Sequence, residues 1–475
     1  MKRKIISLLM CAVIIVVGLS ACGETDNAPG GSGGGTGVFA YLDSMPDVDL
    51  GGYNFVIAEA CYYTSEDRPN MEAGSSDLAD EILARNKAIE DKFNCKITYE
   101  YYDPTSFYED NYTLIMSGEK VADIMDVTLF TYGKLEVGDY LYDLNTLPNV
   151  DFTKEHWLTI YDDTAVHHTG ERYGASAMFA NPYTHGFGVY FNKRLIEELN
   201  LENPYDLVAE NNWNWETFGQ LLGKAMKDVE TDGEFGNNDI YSITGGLDGG
   251  FTAMYLANNL NMFRIDGNGR VQYAMTDDKV IPALTTLKNM FSTPGTYYYG
   301  GGDSELCTSM FINGQVTFYF NLTTRGQALR NMNDDFGLVP IPMGPDANQY
   351  YSPIDHNTPI VCVPRSIDNP EATGLILEAL AATSYSEYGT WQNEVVSLYY
   401  RDTESAQMLN DYILPNLITD PVFMYSRIDP QFEQYTITAI FKPIARDPNA
   451  DAATIINSGK GVVQTLIDEV INKSR

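Results

Sequence analysis

The sequence predicts an α/β protein built as two lobes. Three observations carry this. Apolar strands alternate with helical periods from Tyr53 to Val127, and a second alternating set fills the middle of the chain. The folded part, roughly 430 of 475 residues, also exceeds what one hydrophobic core supports.

The first set opens with Tyr53-Asn54-Phe55-Val56-Ile57-Ala58, an apolar strand running into the aromatic loop Cys61-Tyr62-Tyr63. From Asp77 to Phe93 apolar residues recur at helical spacing (Leu78, Ile82, Ala88, Ile89, Phe93), with Ser76 or Asp77 as cap. Cys95 to Tyr101 alternates as a strand, Phe107 to Ser117 reads as a helix, and Ala122 to Val127 as a buried strand. Strand, helix, strand, helix, strand at this spacing predicts a parallel, doubly wound sheet. Ligands of such sheets meet the loops after the strands' carboxyl ends, which places Tyr62, Tyr63, Asp126 and Thr128 at a cleft.

In the second set, Gly188 to Lys193 reads as a strand entering a helix over Arg194 to Leu199. Helices are expected over Thr217 to Val229 and Val280 to Phe291, and strands over Val316 to Phe320 and Phe336 to Val339. Pro340-Ile341-Pro342 breaks the pattern. Ile360 to Pro364 resumes a strand, Pro370 to Thr383 a helix, and Thr454 to Lys473 a long amphipathic helix. No repeat of solenoid period is visible.

The N-terminus carries a different signal. Lys2, Arg3 and Lys4 precede an uncharged apolar stretch from Ile5 to Gly18, then Leu19-Ser20-Ala21-Cys22. A basic front, a short apolar core and small residues at the cut mark a secretory signal. The cysteine directly after them resembles the bacterial lipobox, which implies a diacylated Cys22 as the mature N-terminus. The rival reading is an uncleaved anchor at the lower limit of bilayer length. In both, the body lies outside the cytoplasm. Gly23 to Gly37, with Gly30-Gly31-Ser32-Gly33-Gly34-Gly35, has too little to bury and reads as a flexible leash.

Losing the three basic residues of the signal takes the net charge from −35 to −38. That charge excludes nucleic acid and electrostatic docking on anionic lipid as modes of action. The 33 Tyr and 21 Phe suit a stacking, hydrogen-bonding cleft. Cys61, Cys95, Cys307 and Cys362 allow three pairings. Cys61 ends one strand and Cys95 starts its parallel neighbour, which separates them by roughly 20 Å, beyond disulfide reach. Cys95 and Cys362 read as buried thiols.

Four segments resemble the extracellular solute-binding proteins of family 1, the carbohydrate-type receptors of ABC importers. They are Ala122-Asp123-Ile124 with Gly138 to Leu144; Tyr190-Phe191-Asn192-Lys193 with Trp213 to Phe218; Phe311-Ile312-Asn313-Gly314-Gln315-Val316; and Phe336 to Pro342 with Pro364-Arg365-Ser366 and Asn369 to Ala372. Their order matches over nearly the whole mature chain. The resemblance implies a two-lobe, type II periplasmic-binding-protein-like fold with the ligand cleft between lobes and a first crossing near Ala175 to Tyr183. It divides the chain into a signal (1–21), a lipidated leash (22–49), lobe 1 (50–180), lobe 2 (181–345), a return to lobe 1 (346–385) and a helical part belonging mainly to lobe 2 (386–475). It further implies a monomer, held to the outer face of the cytoplasmic membrane, that captures a carbohydrate, an oligosaccharide in particular, for ABC permease subunits. A secreted glycan-acting hydrolase and a receptor for a membrane sensor stay open as alternatives.

Topology and resemblance together nominate Tyr62, Tyr63, Asp126, Tyr183, His185, Phe187, Tyr255, Tyr297, Tyr298, Arg325, Asp355, His356 and Trp391 as solute contacts. Aromatic faces would pack on sugar C–H surfaces while carboxylates and Arg hold hydroxyls. Family members often carry Trp after the strand equivalent to Val316–Phe320; this chain has Asn321-Leu322-Thr323-Thr324-Arg325, which leaves room for a more polar or anionic solute. Trp213 and Trp215 are expected to pack the lobe.

Asp228 to Asp239 has the spacing of an EF-hand-like calcium loop: Asp228, Glu230, Asp232 and Asp239 at positions 1, 3, 5 and 12, Gly233 at 6, and Glu234 offering its carbonyl at 7. Structural calcium is the expectation, and a plain acidic turn the alternative. Asp266-Gly267-Asn268-Gly269 reads as a hairpin turn. No Gly-x-Ser-x-Gly, His-Glu-x-x-His or phosphate-binding Gly-rich loop occurs, so no cofactor for activity and no catalysis are expected. His167 and His168 are adjacent and unsuited to sharing a metal on one strand face.

Overall fold

The structure, a computed structural model, describes residues 39–61, 72–167, 169–298, 304–447 and 449–474. Cys22, Tyr62, Tyr63 and His168 lie outside these residues.

The first lobe rests on a four-stranded sheet in the order Pro359–Cys362, Ile124–Thr128, Tyr53–Ala60, Cys95–Tyr101. The last three are parallel, with Tyr53 opposite Cys95 and Ile57 opposite Ile124. Pro359–Cys362 runs antiparallel, Ile360 opposite Val127. The three strands expected to be parallel are so; this fourth one arrives from the other lobe and not through a right-handed crossover. Helix Asp77–Phe93 begins where the Ser76 side chain accepts from the Ala79 amide at 3.0 Å, which settles the cap. It ends on left-handed Asn94. Its Ile89 and Phe93 bury against Phe55, Ile57, Ile97 and Ile124. Truncating such a Phe to Ala costs about 3–5 kcal/mol. All four described cysteines are free, and Cys95 sits at the opposite end of its strand pair from Cys61.

The second lobe carries a five-stranded sheet in the order Phe336–Val339, Phe187–Asn192, Val316–Leu322, Tyr241–Gly245, Tyr297–Tyr298. Only Phe187–Asn192 opposes its neighbours. Trp213 is fully buried and its indole donates to the Pro340 carbonyl at 2.7 Å; Trp215 is buried beside it. The expected helix over Thr217 to Val229 is instead Trp215–Leu222, started by the Asn214 side chain accepting from the Glu216 and Thr217 amides. Gly223 ends it, since little apolar period remains beyond Ala225 to fund another turn. The C-terminal helix runs Ala452–Leu466 and widens into a π-turn at Ile467–Ile471. Strands Phe263–Ile265 and Val271–Tyr273 form a hairpin whose turn is closed by Asp266 accepting from the Asn268 and Arg270 amides.

The chain passes between lobes along paired segments. Ala175 bridges Val361 and Gly186 bridges Ile354, both antiparallel. A third passage, Leu417–Ile418, pairs with Ser352–Pro353. Beyond it, Val422–Tyr425 packs on first-lobe helix Leu129–Val137, so closely that a Cβ on Gly133 would collide with the Met424 carbonyl. Ile437–Arg446 then packs on second-lobe helix Leu247–Ala257. Among the described residues no helix is long and apolar enough to cross a membrane.

Candidate functional site

Strand ends and passages set the site. Phe187 begins the strand paired to Val316–Leu322, and the Ser352 hydroxyl donates to its carbonyl at 2.6 Å. Phe187, Asp355, His356, Leu256, Phe423 and Thr438 border a cavity of about 120 Å³. Second-lobe residues therefore meet residues of the passages between lobes at one place, as expected at strand ends.

Polar groups converge around that cavity. Asp355 accepts from the Asn357 amide at 2.9 Å and its side-chain NH2 at 3.0 Å. Burial holds the His356 imidazole below its usual pKa range; neighbouring Asp355 opposes this, while Arg427 and His185 reinforce it. The His356 ring lies 5.9 Å from Phe130, and the Arg427 guanidinium lies 4.8 Å over the same Phe130 ring. Asp126 is 2% exposed, and the Cys61 thiol donates to it at 3.7 Å. Burial pushes the Tyr161 phenol well above its usual pKa range, with Cys61, Asp126 and Asp355 adding to the shift, so these four groups share one neighbourhood. Tyr161 itself donates to the Pro359 carbonyl at 2.7 Å.

The remaining nominated residues fall elsewhere. Tyr183 packs with Tyr388 and Trp391, ring centroids 5.3 and 5.8 Å away, and Trp391 is 5% exposed. Arg325 follows strand Val316–Leu322 and faces Glu305 at 3.8 Å. The segment Thr323–Arg325 touches the passage Pro182–His185, so Arg325 is near the lobe junction. Tyr297 donates to the Gly245 carbonyl at 2.6 Å, and Tyr298 packs edge-on to Tyr241. Tyr255 is a correction: it is 0% exposed, packs on Phe441 and donates to the Asn261 carbonyl, which makes it second-lobe core. Arg427 and Tyr161 were not singled out from sequence. Arg427 follows a short buried helix, and no local pattern shows that this turn comes back to the first lobe.

The acidic loop closes on itself. Asp228 accepts from the Thr231 and Gly233 amides, Asp232 from the Glu234 amide, and Asp239 from the Val229 and Gly236 amides. Glu230 accepts from the Asn238 side chain. Gly233 has φ +86°, the turn that position needs. Among the described residues no three His, Cys, Asp or Glu side chains are grouped to hold a metal ion. Each of these carboxylates has lone pairs left over, so the amide bonds shape the loop without using up its oxygens.

Comparison with known proteins assigns the class. The sequence model of the bacterial extracellular solute-binding proteins matches residues 75–386, and the chain belongs to that family. Its members are receptors and not enzymes, and the fold is the two-lobe type II arrangement. The chain is similar in fold to the cyclic α-maltosyl-1,6-maltose binding protein of Arthrobacter globiformis (TM-score 0.61, 12% identity, 88% of this chain and 100% of that one). It is also similar to an ABC substrate-binding protein of Listeria monocytogenes in complex with cycloalternan (0.57, 13%, 87% and 99%). UgpB of Mycobacterium tuberculosis, in complex with glycerophosphocholine, is a third (0.55, 16%, 89% and 99%). No curated protein matches the sequence.

Proposed function

We propose that this protein captures a carbohydrate, an oligosaccharide in particular, between its lobes and delivers it to an ABC importer, while diacylated Cys22 holds it at the outer face of the cytoplasmic membrane. It works as a monomer. The observation that carries this reading is the meeting of Asp126, Asp355, His356, His185 and Arg427 with the apolar rim of Phe187 and Phe130 at the lobe junction. Carboxylates accept from sugar hydroxyls and guanidinium donates to them, while ring faces cover C–H surfaces. Two fold neighbours support the class of solute by their names, one a binder of a cyclic maltosyl-maltose and one holding cycloalternan.

The test is a thermal-shift screen of the protein against a glycan library. A ligand that binds only the native state raises the melting temperature by mass action. Glycan hits that stay intact in the wells support the reading. A library without hits, or hydrolysed glycans, would overturn it.

A further inference from the structure

The chain changes lobe once more at Tyr385–Glu387. Helix Pro370–Ser384 packs in the first-lobe core, and helix Tyr388–Tyr399 places Trp391 and Tyr399 in the second-lobe core with Tyr190 and Phe336. Between them Tyr385–Glu387 is a 3-10 turn, a conformation that often marks a hinge inside a helical run. First-lobe helix Asp77–Phe93 lies against this joint and makes three polar contacts with it. Arg85 Nη1 donates to both Glu387 carboxylate oxygens at 3.1 Å, the Thr390 hydroxyl donates to Glu81 at 2.7 Å, and the Leu78 amide donates to Glu394 at 3.0 Å. Leu78, Glu81 and Arg85 thus meet Glu394, Thr390 and Glu387 in reverse order, both sets at helical spacing. The two helices, from different lobes, form an antiparallel seam.

The seam is crowded with acids. A cavity of about 480 Å³ beside it is lined by Asp77, Asp80, Glu81, Thr390, Asn393 and Glu394. Arg85 and Glu387 are 2% and 5% exposed. The Arg85 guanidinium also donates to Asn86 at 3.1 Å and to the Tyr99 oxygen at 3.0 Å. Among the described residues, the charged groups acting on Glu387 from the first-lobe helix are Arg85 and Glu81. Segment Met178–Ala180, also against the turn, brings no titratable group, and Glu378 of helix Pro370–Ser384 is held by Tyr41 and His156. Tyr385, Tyr388 and Glu394 belong to the helical run of Glu387 itself. Burial pushes the Glu387 carboxyl from 4.5 up to about 7; Arg85 opposes this and Glu81 reinforces it.

We infer that the contact of Leu78, Glu81 and Arg85 with Glu394, Thr390 and Glu387 is a proton-sensitive clasp between the lobes, tight when Glu387 is protonated and loosened when it is ionised. A released Glu387 meets water and regains its ordinary range, so the docked seam holds the proton more tightly than the open one. This contribution is full below about pH 4.5 and is lost as pH rises through about 7. Protonated, the carboxyl still accepts from Arg85, while its repulsion with Glu81 is gone. The clasp acts on the lobes themselves and does not rest on the identity of the solute.

Hydrogen exchange of backbone amides, corrected for the intrinsic rate at each pH, reads this local opening. From pH 5 to pH 8 the protection of Tyr388–Tyr399 in the wild type is expected to fall by on the order of tens of fold. Helix Val280–Phe291, which packs elsewhere in the second lobe, is the internal reference. Glu387→Gln, neutral at every pH, keeps the low-pH protection throughout. Glu81→Gln retains an acceptor for Thr390 but removes the repulsion, so its midpoint moves to lower pH, which a merely structural contact would not produce. Wild-type protection that is level with pH would overturn the clasp. So would an equal fall in Glu387→Gln, or a midpoint unmoved in Glu81→Gln.

Discussion

The Tyr425 hydroxyl donates to Glu136 at 2.7 Å, with His167 on the other carboxylate oxygen, and this buried contact fastens the last return of the chain to the first lobe. Two residues beyond Tyr425 is Arg427, over Phe130. The position of the one cation nominated by geometry alone therefore depends on how that return is anchored.

Asp126 is predicted to matter for solute and little for folding when its shape is kept. Asp126→Asn removes the charge while retaining volume. Loss of a charge-assisted hydrogen bond costs roughly 1.5–3 kcal/mol, a ten- to hundredfold weaker Kd. Calorimetry with the best glycan from the screen reads this, and an unchanged Kd would remove Asp126 from the site.

Asp420 predicts a pH dependence. It is buried and accepts from the Met262, Phe263 and Val422 amides, yet burial outweighs these bonds and pushes its carboxyl from 3.8 up to about 6. The folded state thus holds the proton more tightly than the unfolded one. This group's contribution is full below about pH 4 and is lost as pH rises through about 6. At about 1.4 kcal/mol per unit, wild type should lose on the order of 3 kcal/mol relative to Asp420→Asn across that window. Urea titrations from pH 4 to pH 7 check it; a constant difference between the two proteins would contradict the assignment.

The acidic loop gives a second stability prediction. Its backbone hydrogen bonds, that to the Gly236 amide foremost, hold the Asp239 carboxyl below its usual pKa, so its contribution is present above that range and lost as pH falls through it. Asp239→Ala should lower the melting temperature, because it strips the Val229 and Gly236 amides of their acceptor. Under the calcium reading proposed for this loop, wild type also melts higher in calcium than in chelator and Asp232→Ala abolishes that difference; equal wild-type melting curves would contradict it.

Cys22→Ala should abolish lipid labelling and release the protein from the membrane fraction. Unchanged fractionation and labelling would leave Cys22 without the role proposed for it.

Much of the first lobe was legible from sequence because its signals are local. Helices Asp77–Phe93 and Phe107–Ser117 and strand Cys95–Tyr101 have the bounds their caps and periods predict. Strand direction at Pro359–Cys362 was not legible, since period two reads the same in both senses. At the site, Asp355, His356 and Phe187 were nominated by lying beside strand ends and were found around one cavity. Tyr255 was misplaced because helix Leu247–Ala257 is apolar on most of its circumference, which hides its outward face. Arg427 was missed for a different reason: its surroundings come from Phe130 and His356, far off in sequence.

The central claim is reversible capture between two lobes that close on the solute. Small-angle scattering with and without a saturating glycan hit tests it most directly. The account predicts a smaller radius of gyration with solute, reversed on dialysis, with the glycan recovered intact. A radius of gyration unchanged at saturation would contradict it.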